Sequence, residues 1–434
     1  MADQRSGGMD MVEPNGPHYR WAWLTLAGVQ ALLLAGIGVA LAAWWWPEPH
    51  SDWAYYWQSA GRPEAYVRGG LGLWLLALPK AFGLSPVAAS LVINIPSALW
   101  LLFLGYRLDG GHWKILAQLV ALYLLLITPF AGIVQLDLVA AAALGTAFWL
   151  LADAGLRLAS GWRSGLAVAC IMFAVSTKPQ YALVLWALLV LTIPIAWLLR
   201  RSLSPGFQRV LLVLLAGSVL GFAMDMVMRV SSGKTEQIRT SSAVTLYGGL
   251  LVSSDQRSQG CGYWSVEAAR AAKEDLHKSL SKAVMDRLQA QPIEHWLSVV
   301  RCKAPEILSP PPYALYWLIE SPNIRARIDD RPDREQINAR YYRALGAERK
   351  VYGWARGLII LACLWTALLL LRKRDPLGAL PVLWLVGFWS VHVVFEVQGR
   401  YFLGLFVLAP LLCAAVTRLA VVSAATNGRV GAAS

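Results

Sequence analysis

The chain has 434 residues, of which 57% are hydrophobic and only 15% charged, with 21 tryptophans and a mean hydropathy of +0.49. Its apolar residues fall in runs of about twenty, the length that crosses the hydrocarbon core of a bilayer, which excludes an ordinary soluble enzyme. The formal charge of +13 does not signal a nucleic-acid partner, because Lys and Arg sit mostly in short loops between apolar runs and not as a stripe on a soluble face.

Residues 1–20 are polar and read as a cytoplasmic tail. The first apolar run, Trp21 to Trp46, is long enough to stay in the bilayer as an anchor and not as a cleaved leader. Further spans are expected near 86–107, 112–129, 133–154, 162–178, 181–199, 208–229, 351–371, 377–395 and 401–420, ten in all. The expected fold class is therefore an all-α polytopic integral membrane protein with juxtamembrane helices and a long, mainly helical outer loop.

The stretch at 70–84, GLGLWLLALPKAFGL, contains Pro79 and Lys80 and falls short of the ~20 residues a span needs. It predicts a juxtamembrane helix. With this segment lying flat, Arg107 and Lys114, Arg157 and Arg163, Arg200, Arg201 and Arg209, residues 372–374, and Arg418 all face one side, which the positive-inside rule makes cytoplasmic. Both termini are then cytoplasmic. The organisation is an N-terminal module, 21–229, with a first outer loop at 47–85; a periplasmic loop, 230–350; C-terminal spans, 351–420; and a tail, 421–434.

Within the long loop, Ser265–Gln291 carries Val266, Ala269, Ala272, Leu276, Leu280, Val284 and Leu288 near helical spacing, with Ser265 as cap and Pro292 as stop. This predicts one amphipathic helix over the membrane core. Ile293–Lys303 reads as a second short helix, and SPPPYALYWLIESP as a proline-broken aromatic stretch suited to the interface. Cys170, Cys363 and Cys413 lie inside spans as small apolar residues. Cys261 and Cys302 fall in the outer loop, where an oxidising compartment permits a disulfide, though the spacing does not decide it. There is no internal repeat and no nucleotide-binding glycine fingerprint.

Asp52, Arg68, Lys80, Asp137, Lys178, Asp225, His392, Glu396 and Arg400 gather at the outer face. An ionised group in or beside a bilayer costs on the order of 2–3 kcal/mol by insertion scales, so such a cluster needs a reason. Ordinary readings exist for most. Lys80 can snorkel, Asp225 can pair with Arg229, Asp137 can cap a span, Lys178 can anchor at the interface, and Glu396 can bridge to Arg400 across one turn, with His392 on the same face. Asp52 has no nearby base in sequence and resists such a reading most. Cations can hold a lipid phosphate while a carboxylate activates a sugar hydroxyl, and a phosphate leaving group is stable enough for Lys or Arg clamps to replace a general acid.

An acid just after the first span, a juxtamembrane helix ending AFGLSP, an Asp opening a later span, a TKP turn and a late E.Q.RY occur here in that order. Together they resemble the GT-C glycosyltransferases that use polyprenyl-phosphate sugars, especially the protein O-mannosyltransferases and lipid A aminoarabinose transferases. The likeness runs from about residue 20 to 420. It implies that Asp52 is the catalytic base or acceptor-orienting acid, that Arg68 touches the donor phosphate, and that Asp137 shapes the site. Arg400 would clamp the phosphate beside Glu396, with His392 in support and Lys178 at the phosphate or the interface.

The implied partners are a polyprenyl-phosphate-linked sugar donor, a glycolipid, glycan or protein acceptor, and the lipids of a bacterial inner (plasma) membrane, with the site facing the periplasm and inversion at the anomeric carbon. Tyr247, Gly262, Tyr263 and Trp264 would stack on the acceptor sugar, or else form a packed aromatic turn. The sequence departs from the family where SDWAYYW offers one acid in place of a pair, so a divalent metal stays open as a cofactor but has no paired-acid motif to support it. It also shows no C-terminal soluble domain of the family's frequent kind. Two rival readings stay open. An O-antigen ligase-like enzyme would rely on His277, His295 and the arginines of 325–343. A lipid or sugar flippase or transporter would spread polar residues through the depth of several spans.

Overall fold

The computed structural model describes residues 17–431 apart from 109–113, 134, 155–160, 199–204, 251–261, 263–264, 309–313 and 398. In order the helices are α1 (Pro17–Trp45), α2 (Ser51–Ser59), α3 (Gly70–Ala81), α4 (Pro86–Leu108), α5 (Lys114–Ile127), α6 (Asp137–Ala154), α7 (Gly161–Thr177), α8 (Gln180–Leu198), α9 (Pro205–Ser231) and α10 (Thr235–Leu250). There follow α11 (Val266–Glu274), α12 (Leu280–Gln289), α13 (Ile293–Leu308), α14 (Ala314–Ile319), α15 (Pro322–Asp329), α16 (Arg334–Arg372), α17 (Leu380–Val394) and α18 (Tyr401–Gly431). No strand occurs among the described residues. This follows from the solvent, because a lipid offers backbone amides no partner and a helix satisfies them within itself.

Each of the ten apolar runs forms a helix, and eight of the described helices are long and apolar enough to cross a membrane. The chain is a membrane-embedded, all-α protein. The two runs outside those eight are α6, of 18 residues, and α7, of 17. The core centres on α18, whose apolar stretch is 89% buried, whereas α1 is outermost at 17%. Fully buried Ala140, Ala141, Leu144 and Ala147 of α6 pack with Leu405, Val407 and Leu408 of α18 in one hydrophobic core. Without a hydrophobic drive between spans, close packing comes from small residues. A Cβ on Gly217 would lie 2.6 Å from the Ile171 Cβ, and one on Gly221 would lie 2.7 Å from the Met172 carbonyl oxygen, so these glycines set how closely α9 approaches α7.

The 12 residues of α3 rise about 18 Å, well short of the ~30 Å hydrocarbon core, so this helix does not cross. It starts from a sharp turn in which Gly69 and Gly70 have φ of 105° and 45°. A Cβ on Gly70 would fall 1.8 Å from the Ser176 carbonyl, so only glycine fits. That turn brings the preceding Arg68 beside α2.

The outer loop differs from its expected form. The single helix expected over Ser265–Gln291 is two, α11 and α12, separated by a 3-10 turn at Asp275–His277. Asp275 turns inward, where its carboxylate accepts from the Tyr247 hydroxyl at 2.8 Å and Arg287 Nε at 2.5 Å. Ser279 then caps α12 through the Lys282 amide, as Ser265 caps α11 through that of Ala268. Tyr247, Val244 and Ala243 form a small separate core with Ala268, Ala271 and Ala272. The next helix, α13, runs to Leu308, past the expected end at Lys303. The last outer segment and the following span are one continuous helix, α16, of 39 residues.

Overpacking a close interface costs about 1–3 kcal/mol. Gly221→Leu should therefore lower the melting temperature in detergent by several degrees, while Gly165→Leu, where a Cβ meets nothing within 4 Å, should leave it unchanged. A scanning-fluorimetry comparison of the two variants checks this.

Candidate active site

The first outer loop makes a tight corner after α1, with Trp46 and Ser51 at φ of 42° and 49°. Fully buried Trp53 and nearly buried Tyr56 then anchor α2 to the core. Asp52, in the first turn, faces inward. Its two carboxylate oxygens accept from two guanidiniums, Oδ1 from Arg68 and Oδ2 from Arg400. Arg68 is placed by Tyr55, whose hydroxyl accepts the Val67 and Arg68 amides at 2.8 and 3.0 Å. Arg400, on the turn between α17 and α18, also donates to the side-chain carbonyl of Gln135. Its guanidinium lies 5.2 Å from the Trp317 ring and 5.1 Å from that of Tyr401.

Behind this pair lies a second one. Lys178 and Asp137 form an ion pair of 2.9 Å in which both side chains are almost wholly buried, and the ammonium sits 5.5 Å from the Tyr56 ring. Glu396 accepts from the Tyr401 hydroxyl at 2.6 Å, and its backbone carbonyl meets His392 Nδ1 at 2.9 Å. The His392 and Tyr401 rings stack at 5.6 Å. On the outer side His50 stacks on Trp317 at 5.1 Å.

Burial would push the Asp52 carboxyl up, but Arg400 and then Arg68 outweigh it and hold it at about 2. Burial pushes Glu396 up, opposed by the Tyr401 hydroxyl and Arg400. Trp53 Nε1, Gln135 Nε2, Thr177 Oγ1, His392 Nε2 and Arg400 Nε are buried and have no partner among the described residues. Buried polar groups are normally paired, so hydrogen-bonding capacity is left at the centre of the cluster.

Asp52, Arg68, Asp137, Lys178, His392, Glu396 and Arg400 are thus brought together from five parts of the chain. Asp52 has no base close by in sequence, and its two partners stand 16 and 348 positions away. Two sequence readings of the site need correction. Arg400 pairs with Asp52, while Glu396 accepts from Tyr401, so the turn is not closed by the simple Glu396–Arg400 bridge expected. Tyr247 is 1% exposed and bonded to Asp275, which makes it a core residue of the outer loop with no ring face open to a sugar. Tyr263, Trp264 and Cys261 lie outside the described residues; Cys302 is disulfide-bonded.

Other charged residues are occupied structurally. Lys80 does not snorkel but donates to the carbonyls of Trp57 at 2.6 Å and Ala60 at 3.1 Å, closing the end of α2. Asp225 pairs with Arg229 as expected, at 2.7 Å, and accepts from Tyr66 at 2.5 Å. His295 meets the Leu250 carbonyl at 2.9 Å. Among the described residues no three His, Cys, Asp or Glu side chains group as metal ligands would.

Sequence reasoning missed Gln135, Tyr401, Trp317 and Lys303. Gln135 stands two residues before Asp137 and Tyr401 ends the late E.Q.RY motif; nothing local marks the others. Lys303, 1% exposed, donates from Nζ to the carbonyls of Gly249, Val393 and Phe395 at 2.8, 2.8 and 2.9 Å. Burial lowers its pKa to about 7, with Glu396 opposing. The Glu396 and Val397 amides reach the carbonyls of Thr245 and Gly262 at 3.0 and 2.6 Å. The outer loop therefore grips the turn that carries Glu396 and Arg400.

No protein-family profile, no curated protein and no solved structure matches this chain. The functional reading therefore rests on the geometry above.

Removing the Lys303 ammonium orphans three buried carbonyls, each costing about 1–3 kcal/mol if nothing replaces it. Lys303→Met should lower thermal stability and loosen the 395–400 turn, which hydrogen exchange at those amides measures; Lys303→Arg should restore part of both. Asp52, depressed below its ordinary 3.8, contributes stability that is fully present above that value and is lost as pH falls through about 2. The stability difference between wild type and Asp52→Asn should therefore be constant above about pH 5 and shrink below pH 4 in acid titrations.

Proposed function

We propose that the chain is a membrane glycosyltransferase of the GT-C type. It moves a sugar from a polyprenyl-phosphate donor to a lipid-linked or envelope acceptor at the periplasmic face of a bacterial inner membrane. Ten spans and two cytoplasmic termini complete this reading. One observation carries it: a carboxylate held between two guanidiniums, with a buried Lys–Asp pair behind, gathered from the ends of apolar helices. This is the level at which a lipid phosphate meets a water-borne hydroxyl.

Asp52 near pKa 2 is a poor base while both arginines hold it. A donor phosphodiester, singly charged like the carboxylate, offers those arginines two non-bridging oxygens that both guanidiniums can share. When Arg68 and Arg400 turn to the phosphate, Asp52 loses the charges that depress it and gains affinity for a proton. The acceptor hydroxyl oxygen then attacks the anomeric carbon from the face opposite the phosphate, and its proton passes to Asp52. The carbon–oxygen bond to phosphate breaks, and polyprenyl phosphate leaves with the electron pair, stabilised by Arg400, Arg68 and Lys178. Asp137 holds Lys178, and Tyr401 with His392 holds Glu396. Donor binding thus switches on the base, which limits proton abstraction to the loaded enzyme.

One observation favours a second reading, a flippase or transporter. Arg356 is 1% exposed within α16, and a buried cation inside a span often marks a pathway.

Reconstituted transfer from a defined polyprenyl-phosphate sugar separates the two. Asp52→Asn should slow transfer by about 100- to 10,000-fold, the range of a lost general base, while binding polyprenyl phosphate at least as tightly, because the arginines lose their competing carboxylate. Arg400→Gln should weaken donor binding, and Arg400→Lys should restore it only in part, lacking the forked donor pair. Near-normal transfer by Asp52→Asn would move the base elsewhere, with Asp137 and Glu396 next. Translocation of the donor without any transfer would favour the transporter.

A further inference from the structure

Outside the Asp52 cluster, an open recess of about 390 Å³ lies between the first outer loop and the start of α10. Arg62, Arg68 and Lys234 line it together with Gln58, Gln237 and Ser241, and no acidic residue does. Glu64 and Glu236 stand close by in sequence but do not line it. The side chains of Arg62 and Lys234 make no hydrogen bond or ion pair among the described residues. Arg68 gives one nitrogen to Asp52, yet its side chain is 38% exposed, so one edge serves the Asp52 cluster and another edge serves the recess.

Three cations around a cavity repel one another unless an anion sits among them, and uncharged amide and hydroxyl donors beside them suit oxygen ligands. The walls are all outer segments: α9 ends at Ser231, before Lys234, and the remaining lining residues come from α2, the loop leading to α3, and the first turns of α10. An occupant therefore enters from water. By contrast, Arg400 lies 3% exposed behind Asp52.

We propose that this recess binds an anionic group of the phosphate or pyrophosphate class carried by the acceptor. Arg68 joins it to the Asp52 cluster, so the bound anion fixes the acceptor hydroxyl beside Asp52. The acceptor role rests on the glycosyl-transfer reading; the anion site itself does not.

The test uses the full chain in phosphatidylcholine nanodiscs with inorganic pyrophosphate as probe, measured by calorimetry. Wild type should bind pyrophosphate. The Arg62→Gln, Lys234→Gln double variant should bind it about tenfold more weakly or worse, the loss expected for two charge-assisted contacts. Lys373→Gln, an exposed position that does not line the recess, should leave pyrophosphate binding unchanged, and polyprenyl phosphate should not displace the probe.

Equal pyrophosphate affinity in the double variant and wild type would overturn the proposal. So would displacement by polyprenyl phosphate, which would make the recess the donor's own phosphate site. Discs containing phosphatidylglycerol distinguish the source: competition by that headgroup assigns a lipid-borne acceptor, and competition only by a dissolved sugar phosphate assigns a glycan-borne one. In the transfer assay the double variant should raise the acceptor KM and leave the donor KM alone. If pyrophosphate binds through Arg62 and Lys234 but no transfer occurs with any donor, the anion site stands and the glycosyltransferase reading fails.

Discussion

Two guanidiniums reaching one carboxylate tie together parts of this chain that are otherwise far apart. Arg68 belongs to the first outer loop, Arg400 to the turn before the last helix, and both close on Asp52. Taking an unpaired carboxylate out of water is costly enough that the group would normally neutralise. Removing either arginine therefore threatens the fold as well as chemistry. The glycine turn before α3, the Tyr55 hydroxyl that accepts two amides, and the aromatic rings of Trp317 and Tyr401 around Arg400 all serve to keep this arrangement in place. Pairing also sets the electrostatics: one buried anion is matched by two cations.

The long outer loop acts as a brace for that arrangement. Its contribution runs through backbone groups: Thr245 and Gly262 accept the amides of Glu396 and Val397, and Lys303 collects three carbonyls from two segments. Lys303 has three donors and three acceptors, so the match is complete only when it is charged. Ser321 and Asn323 bind the other side of the site, meeting the backbone of Glu48 and Trp46. Between these two grips, the walls around Asp52 come from both loops, while the ionised groups themselves come from the first outer loop and from the ends of the spans.

Much of this was legible in the sequence, for identifiable reasons. Apolar length marks spans because the bilayer's thickness is fixed, and all ten expected runs are helical. The short apolar run at 70–84 is a helix of its own because Gly69 and Gly70 open it and Pro79 weakens its end. Charged residues stood out at the ends of spans because they are expensive there. Pairing was not legible. A sequence shows neighbours at three or four positions, whereas Arg400 and Asp52 are 348 apart, and the bridge expected between Glu396 and Arg400 lost to that distant partner. The helix expected over Ser265–Gln291 failed for a related reason: Asp275 looks like a solvated helix residue until Tyr247 and Arg287 are placed around it. Tyr247 fails as a sugar platform on the same account, its hydroxyl being committed to that carboxylate.

The unbroken helix α16 has a further consequence for the surroundings of Asp52. Its 39 residues extend about 58 Å, nearly twice the ~30 Å of hydrocarbon it has to traverse. A substantial part of it therefore stands clear of the lipid as a rigid mast. With α14 and α15 packed against it, the part of the outer loop that carries Trp317, Ser321 and Asn323 is held at a set height by that mast. An approach to Asp52 from that side meets a wall whose height is set by helix length, which no change in the charged residues would alter.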